Sequence, residues 1–358
     1  MQITISKSAL QSATAIVGKA IANNTAIPML AGILLTAQDG QLTLQATDVT
    51  TSIRHTVPAN VEETGSTVVS GKMLASIVKN LPDAAVSIST DGRSCVISCQ
   101  RAQYRLNTLN PNEFPEFPVV KMEQQVELPS ELLADMYGKV GRAVSKDDSR
   151  PMLKGVQVTV ENESLRLVAT DSYRLVVADA PIASTEPFSA IIPGDVLKDV
   201  LGMPSLTESV GIALAANQIA FTFGSTTLIT RRIEGNYPNW RQLLPASHKV
   251  DVTTHADDLK GALKRVSVLA KESPSVRIDL VDGTMLLQVV TADGEARDEV
   301  PCAHNDDMAI TLNHHFLQDA LDAMDEEVFV ELENSVSPAI IKSYGTVNYL
   351  CVLMPVRM

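Results

Sequence analysis

The chain is 358 residues long, 45% hydrophobic and 20% charged, with a formal net charge of −13. That length suggests two or three domains, and the ordinary composition is that of a globular fold with its own core. The acidic balance excludes a protein that coats nucleic acid with its whole surface, though not one with a single basic face, and no apolar run approaches the roughly 20 residues of a membrane helix.

In chain order, MQITISKSAL alternates apolar and polar residues from its start and predicts a first strand rather than a signal peptide. Residues 8–21 then place Leu10, Ala13, Ile16, Val17, Ala20 and Ile21 at helical spacing, with Ser6 or Ser8 as cap. Strands are expected near 33–38, 41–47 and 50–57. SGKMLASIVKNLP (70–82) reads as a second helix capped by Ser70, and strands resume at 84–89, 94–99 and 103–109. Cys95 and Cys99 fall on one face of one strand, which disfavours a disulfide between them. With Cys302 and Cys351 they are expected to be buried, reduced thiols of a cytoplasmic protein. Prolines in PNEFPEFP (111–118) close this section, and 119–127 reads as a linker. Helices follow at 129–144, entered through Pro129, a capping Ser130 and the acid Glu131, and at 193–203. SHKVDV near 247–252 opens a last section with helices at 255–270 and 313–324.

The plan recurs because the sequence does. Residues 28–48 and 151–171 are identical at ten of 21 ungapped positions, at an offset of 123, and DGTMLLQVV at 282–290 repeats DGQLTLQAT at an offset of 243. The same offsets relate Pro58, Pro181 and Pro301, each closing a strand-like run. A repeat this long is a duplicated domain, not a solenoid unit. It predicts an α+β fold of three similar modules, 1–120, 124–245 and 246–358, each an antiparallel sheet with two helices.

Charge is unevenly spread. The helices at 8–21 and 70–80 carry Lys19, Lys72 and Lys79 without an acid. In the other two modules the first helix holds Lys139 and Arg142 late, after Glu131 and Asp135, and Lys260, Lys264, Arg265 and Lys271 after Asp257 and Asp258 at its N-terminal end. A basic helical face toward a polyanion and the plain preference of lysine for helix C-termini both account for this. Catalytic patterns are poor. GSTVVSGKM (65–73) has five residues between its glycines where a phosphate loop has four, and methionine where magnesium binding needs a hydroxyl. His314 and His315 are adjacent, so a helix points them apart, toward capping or surface roles. Asp306 and Asp307 beside His304 lack further ligands. Thr47-Asp48 and Thr170-Asp171, repeated in two modules, read as a turn or strand-end device.

Three segments, ATDSYRL (169–175), NYPNWRQLLP (236–245) and the final YLCVLMPVRM, together with the triple repeat, resemble the bacterial DNA sliding clamps, the beta subunits of DNA polymerase III. The resemblance implies a non-catalytic processivity factor without cofactor or metal: a head-to-tail homodimeric ring around duplex DNA, cytoplasmic and not membrane-bound. Helices would line the channel with Lys19, Lys72, Lys79, Lys139, Arg142, Lys198, Lys260, Lys264 and Arg265, touching phosphates without reading bases. A groove between modules two and three would hold peptides of the polymerase catalytic subunit, clamp-loader subunits, other polymerases and repair proteins. Its implied lining is Leu153, Thr170, Ser172, Tyr173, Arg174, Leu175, Pro238, Gln242, Leu243, Pro338, Val352, Met354, Pro355, Val356 and Arg357. Leu350–Leu353 would be partly core. The subunit interface would join Tyr104 and Leu106 to Val268 and Leu269, with Lys271 and Glu272 at its rim. The chain departs from the family at Gln242, where arginine is familiar, at Ser172, Tyr173 and Pro338, and at Asn24, where a basic DNA contact is missing. The competing readings are a protein-only repeat scaffold and an enzyme using Asp171, Tyr173 and Arg174.

Overall fold

The computed structural model describes residues 1–22, 25–119, 123–183, 186–270 and 274–356. Among them no helix is long and apolar enough to cross a membrane. The chain forms two compact units, Met1–Glu131 with Val196–Arg232, and Leu132–Asp195 with Ile233–Met358. Three sequence repeats thus yield two units, because the middle repeat contributes four strands to a sheet in each.

In the first unit, α1 (Lys7–Val17) continues into a 3-10 turn at Gly18–Ala20 and packs on α2 (Gly71–Asn80). The α1 face Leu10, Ala13, Ile16 and Val17 is fully buried, as the periodicity predicts. The Ser6 hydroxyl caps α1 by accepting from Ala9 N at 3.3 Å, whereas Ser70 stands at the N-cap of α2 without a side-chain cap bond. One antiparallel sheet orders its strands 60–63, 2–6, 85–90, 94–99, 102–107. The other runs 124–129, 209–214, 218–223, 226–231, 51–58, 41–47, 32–38, 65–70. Its two halves come from successive repeats and meet where Thr226–Thr230 pairs antiparallel with His55–Thr51.

The chain passes between the units within α3 (Ser130–Val140) and α4 (Gly194–Leu201). In the second unit, α5 (Ala256–Val266) packs on α6 (His314–Leu321) and on strand Gly294–Pro301. A nine-stranded sheet has the order 188–193, 155–161, 164–170, 174–181, 348–353, 339–343, 327–332, 250–255, 303–304. Arg174–Asp179 pairs there with Leu353–Asn348, the second joint between repeats. A four-stranded sheet runs 294–301, 284–291, 275–281, 308–313.

The repeat is geometric as well as sequential. Asp39-Gly40, Asn162-Glu163 and Asp282-Gly283 each turn a two-residue hairpin with both residues at positive φ (51° and 72°, 53° and 58°, 49° and 75°), the conformation whose twist matches paired strands. Pro58, Pro181 and Pro301 end equivalent strands.

Several expectations are corrected. Ser130 does not cap α3: Pro129 ends the preceding strand, Ser130 is the first helical residue, and its buried hydroxyl has no partner. Residues 124–127, read as linker, already form strand Gln124–Pro129, while Val120–Met122 lie outside the described residues. The glycine-flanked 65–73 segment is strand Gly65–Ser70 followed by α2, and that strand and Asn60–Glu63 come in addition to the strands expected from sequence. His314 is buried rather than a cap or surface residue; Asn313 caps α6 by accepting from His315 N at 2.9 Å, and the two imidazoles sit 3.9 Å apart.

Candidate functional site

The duplicated Thr-Asp pair builds the same turn twice. At the first copy the Thr47 hydroxyl donates to Thr51 O (3.1 Å) and accepts from Val49 N (3.2 Å), while Asp48 Oδ1 accepts from Thr50 N and Thr51 N at 2.9 and 2.7 Å. At the second, the Thr170 hydroxyl donates to Arg174 O (2.7 Å) and accepts from Ser172 N (3.2 Å), while Asp171 Oδ1 accepts from Tyr173 N and Arg174 N, both at 3.0 Å. Each turn holds a side-chain-bearing residue at positive φ, Val49 at 79° and Ser172 at 77°. Short acidic and hydroxyl side chains stabilise such turns by taking backbone N–H groups that no strand can satisfy.

Where the copies differ, a site appears. Thr51 in the first turn becomes Arg174 in the second, 9% exposed. Its Nε donates to Asp171 Oδ2 at 3.1 Å, its Nη1 to Asp319 Oδ2 at 2.7 Å and its Nη2 to the Arg142 carbonyl, and the guanidinium lies 4.5 Å over the Phe316 ring. Phe316 also stacks with Tyr173, ring centroids 6.3 Å apart. Asp319 Oδ1 holds Arg142 Nη1 at 3.1 Å, and Asp322 holds the same nitrogen at 2.6 Å. These partners keep the Arg142 guanidinium above its ordinary pKa, the Asp322 hydrogen bond first among the causes. Of the three residues of the enzymatic reading, Asp171 and Arg174 are thereby engaged in the turn and in ion pairs, whereas the Tyr173 side chain is exposed and stacks on Phe316.

The floor beside Arg174 is apolar. Leu175 and Val352, paired across the strands, pack with Val168, Val177 and Trp240, and Tyr237, Leu244 and Leu350 close on the same cluster. Trp240 carries Arg241 over its ring at 4.6 Å; it was absent from the sequence-derived lining, although NYPNW contains it. Burial raises the Tyr237 hydroxyl pKa well above the ordinary tyrosine value. Met354 N donates to Tyr173 O at 3.1 Å and Val356 N to Thr311 O at 2.8 Å, so the tail runs from the nine-stranded sheet to the edge of the four-stranded one.

The implied groove residues divide accordingly. Leu153, Thr170, Arg174, Leu175 and Val352 are buried; Pro238, Pro338, Pro355 and Val356 are partly buried; Ser172, Tyr173, Gln242, Leu243 and Met354 are exposed. Leu153 lies on the 3-10 turn Pro151–Lys154, tied to the Ser172 hydroxyl through Arg150 at 2.7 Å. Cys351 and Leu353 are core, as expected, and burial pushes the Cys351 thiol up to about 12. Arg357 lies outside the described residues, as do Asn24, Lys271 and Glu272.

The helix cations are less free than a simple basic face requires. Lys19 pairs with Asp199 at 2.6 Å and Arg265 with Asp298 at 2.5 Å. Lys139 and Lys260 both donate to backbone carbonyls just past the C-terminus of α6, at Ala323 O (2.8 Å) and Met324 O (3.1 Å). Among the described residues Lys72, Lys79, Lys198 and Lys264 are exposed and unpaired.

Tyr104 and Leu106 lie on Ala102–Asn107, the edge of the five-stranded sheet. Val268, 62% exposed, and Leu269 lie on the 3-10 turn after α5, against the edge strand Gly294–Pro301. Among the described residues, His248, Asp251 and Glu331 could offer a cation three donors. The imidazole already meets Asp251 at 3.1 Å and Lys342 occupies the far oxygen of Glu331, so the group is an ion-pair cluster, joined across strands and invisible in sequence.

Models of the N-terminal, central and C-terminal domains of the DNA polymerase III beta subunit match residues 1–118, 127–239 and 241–357. A beta sliding clamp of Streptomyces coelicolor is 30% identical over 375 residues, with 100% of both chains covered. One from Staphylococcus aureus is 30% identical over 356 residues, covering 95% of this chain and 94% of its own. The sliding clamp of Bacillus subtilis superposes with a TM-score of 0.93 at 26% identity, covering 100% of this chain and 99% of its own. That of Pseudomonas aeruginosa, bound to griselimycin, superposes with a TM-score of 0.93 at 25% identity over 100% of both chains.

Proposed function

Because the chain belongs to the DNA polymerase III beta subunit family, the bacterial sliding clamps, we propose that two copies close head to tail into a ring around duplex DNA and hold the polymerase at the cleft beside Arg174. The family's activity is processivity: a polymerase tied to an encircling partner cannot leave its template, and no bond is made or broken by the tether.

One observation carries the ring. Within the chain, strand 226–231 pairs with 51–58, and strand 348–353 pairs with 174–181. By the repeat, 102–107 corresponds to 226–231 and 348–353, while 294–301 corresponds to 51–58 and 174–181. Among the described residues both are edge strands, so the third joint of the series finds no partner there. A second copy supplies it, Ala102–Asn107 of one protomer beside Gly294–Pro301 of its partner, with Tyr104 and Leu106 against Val268 and Leu269. The modules would be 1–120, 124–245 and 246–358.

Lys72, Lys79, Lys198 and Lys264 are the cations best fitted to sliding phosphate contacts. Lys19, Lys139, Arg142, Lys260 and Arg265 must first leave or share their partners. Such contacts are salt-sensitive and sequence-independent, and enclosure makes tight binding unnecessary. The cleft of Leu153, Thr170, Leu175, Pro238, Leu243, Val352, Met354 and Pro355, with Tyr173 and Arg174 as polar wall and Gln242, Pro338 and Arg357 at its rim, suits a short peptide with apolar anchors. Flexible methionine makes it adaptable to several partners, among them the polymerase, the clamp loader and repair proteins, and to griselimycin. The setting is the cytoplasm.

The test is topological. The protein, loaded on nicked circular DNA, should co-elute with it and be lost when the circle is cut. Equal retention on circular and linear DNA would mean ordinary surface binding and sink the ring.

A further inference from the structure

We infer that Asp319 couples the two working faces proposed above, so that DNA contact at Arg142 changes the affinity of the cleft beside Arg174. This regulation rests on that reading of groove and channel. The carboxylate is divided: Oδ1 meets Arg142 Nη1 at 3.1 Å and Oδ2 meets Arg174 Nη1 at 2.7 Å. A second link runs the other way, from Arg174 Nη2 to the backbone carbonyl of Arg142. Arg174 is buried and fixed by Asp171, whereas Arg142 is half-exposed, at 51% of its side chain, in the middle of the 3-10 turn Gly141–Ala143. The exposed partner is therefore the one that a phosphate can reach.

A phosphate that recruits Arg142 removes one of the two cations sharing Asp319. The carboxylate charge then falls wholly on Arg174, which is bound more firmly over Phe316 and beside Tyr173. A cleft wall held in one geometry costs a ligand less ordering on binding. Linkage makes the effect reciprocal: a cleft ligand that fixes Arg174 against Asp319 frees Arg142 for DNA. Asp322 holds Arg142 but makes no contact with Arg174, so it biases the strength of the coupling without carrying it.

Griselimycin and a short DNA duplex are suitable probes, with affinity for griselimycin measured by calorimetry with and without saturating duplex. We expect the duplex to tighten binding about fivefold to tenfold, at the low end of the usual range of coupling between sites. Asp319→Asn should bring that ratio to one, Arg142→Gln likewise, and Asp322→Asn should leave a ratio above one. A wild-type ratio of one, or an undiminished ratio in Arg142→Gln, overturns the coupling. Arg142→Gln keeps the test decisive should Asp319→Asn loosen the fold, which its melting temperature reports. Failure of wild type to bind griselimycin, or the duplex, would instead discredit the groove or channel reading, so the two failures are separable.

Discussion

Asp48 and Asp171 make the same two backbone hydrogen bonds in equivalent turns, but only Asp171 also receives a buried arginine. The duplication is therefore an internal control. Asp48→Ala should cost about 1 kcal/mol, the usual worth of lost side-chain-to-backbone bonds at a turn. Asp171→Ala should cost about 2–4 kcal/mol, because Arg174 is left with one fewer carboxylate in a dry site. Denaturant melts of the two variants check this, and equal losses would show that the Arg174 contact adds nothing. The turn itself was legible from the repeated Thr-Asp pair. The partner of Arg174 was not: Asp319 is 145 residues away and looks in sequence like one more acid on a helix face.

At the scale of elements, the helices were legible because burying one stripe forces a 3.6-residue period, and α1 and α5 fall where that period runs. The Ser6 cap of α1 was legible as well, but the caps of the later helices and the short edge strands were not. Ser130 has the right chemistry for a cap but follows a proline still paired in a sheet, and Asn60–Glu63 is polar and mostly exposed, so neither alternation nor burial marks it. The joint between the first two repeats carries a further element-level property. His55, 5% exposed, shares a 2.8 Å hydrogen bond with the Thr226 hydroxyl across the paired strands, and that hydroxyl also meets Ser205 at 2.9 Å. Burial lowers the His55 pKa from its ordinary 6.5. His314 is lowered too, by burial and by neighbouring His315, against an opposing hydrogen bond to Ala270. A group depressed in the folded state takes up its proton more readily when unfolded, so its contribution is complete above the ordinary value and lost as pH falls below it. The melting temperature should therefore drop as pH falls below about 6.5, and less so in His55→Gln. An unchanged pH profile in that variant would remove the joint from the account.

At the scale of the whole molecule, the duplicated architecture was readable from the repeat alone, whereas the division into two compact units was not. Strand pairing across repeats is a tertiary fact that no local pattern encodes. The proposed assembly makes a direct prediction about mass: light scattering should give close to twice 38.5 kDa. Leu106→Asp, which sets a charge into the edge of the five-stranded sheet, should return the protein to one chain's mass while leaving its melting largely intact. A wild-type protein that stays at one chain's mass at micromolar concentration would count heavily against closure.

The open edges of Ala102–Asn107 and Gly294–Pro301 also fix where such an assembly is weakest. The two joints inside each protomer connect strands on one covalent chain, and a broken pairing there re-forms at the high effective concentration of a tether. The joints between protomers have no such tether and depend on how much free protein surrounds them. Dilution should therefore part the assembly at those two seams and nowhere else. In the proposed ring the same seams would be the gate for admitting a closed DNA circle, and residence on DNA would follow how long the paired edge strands stay zipped.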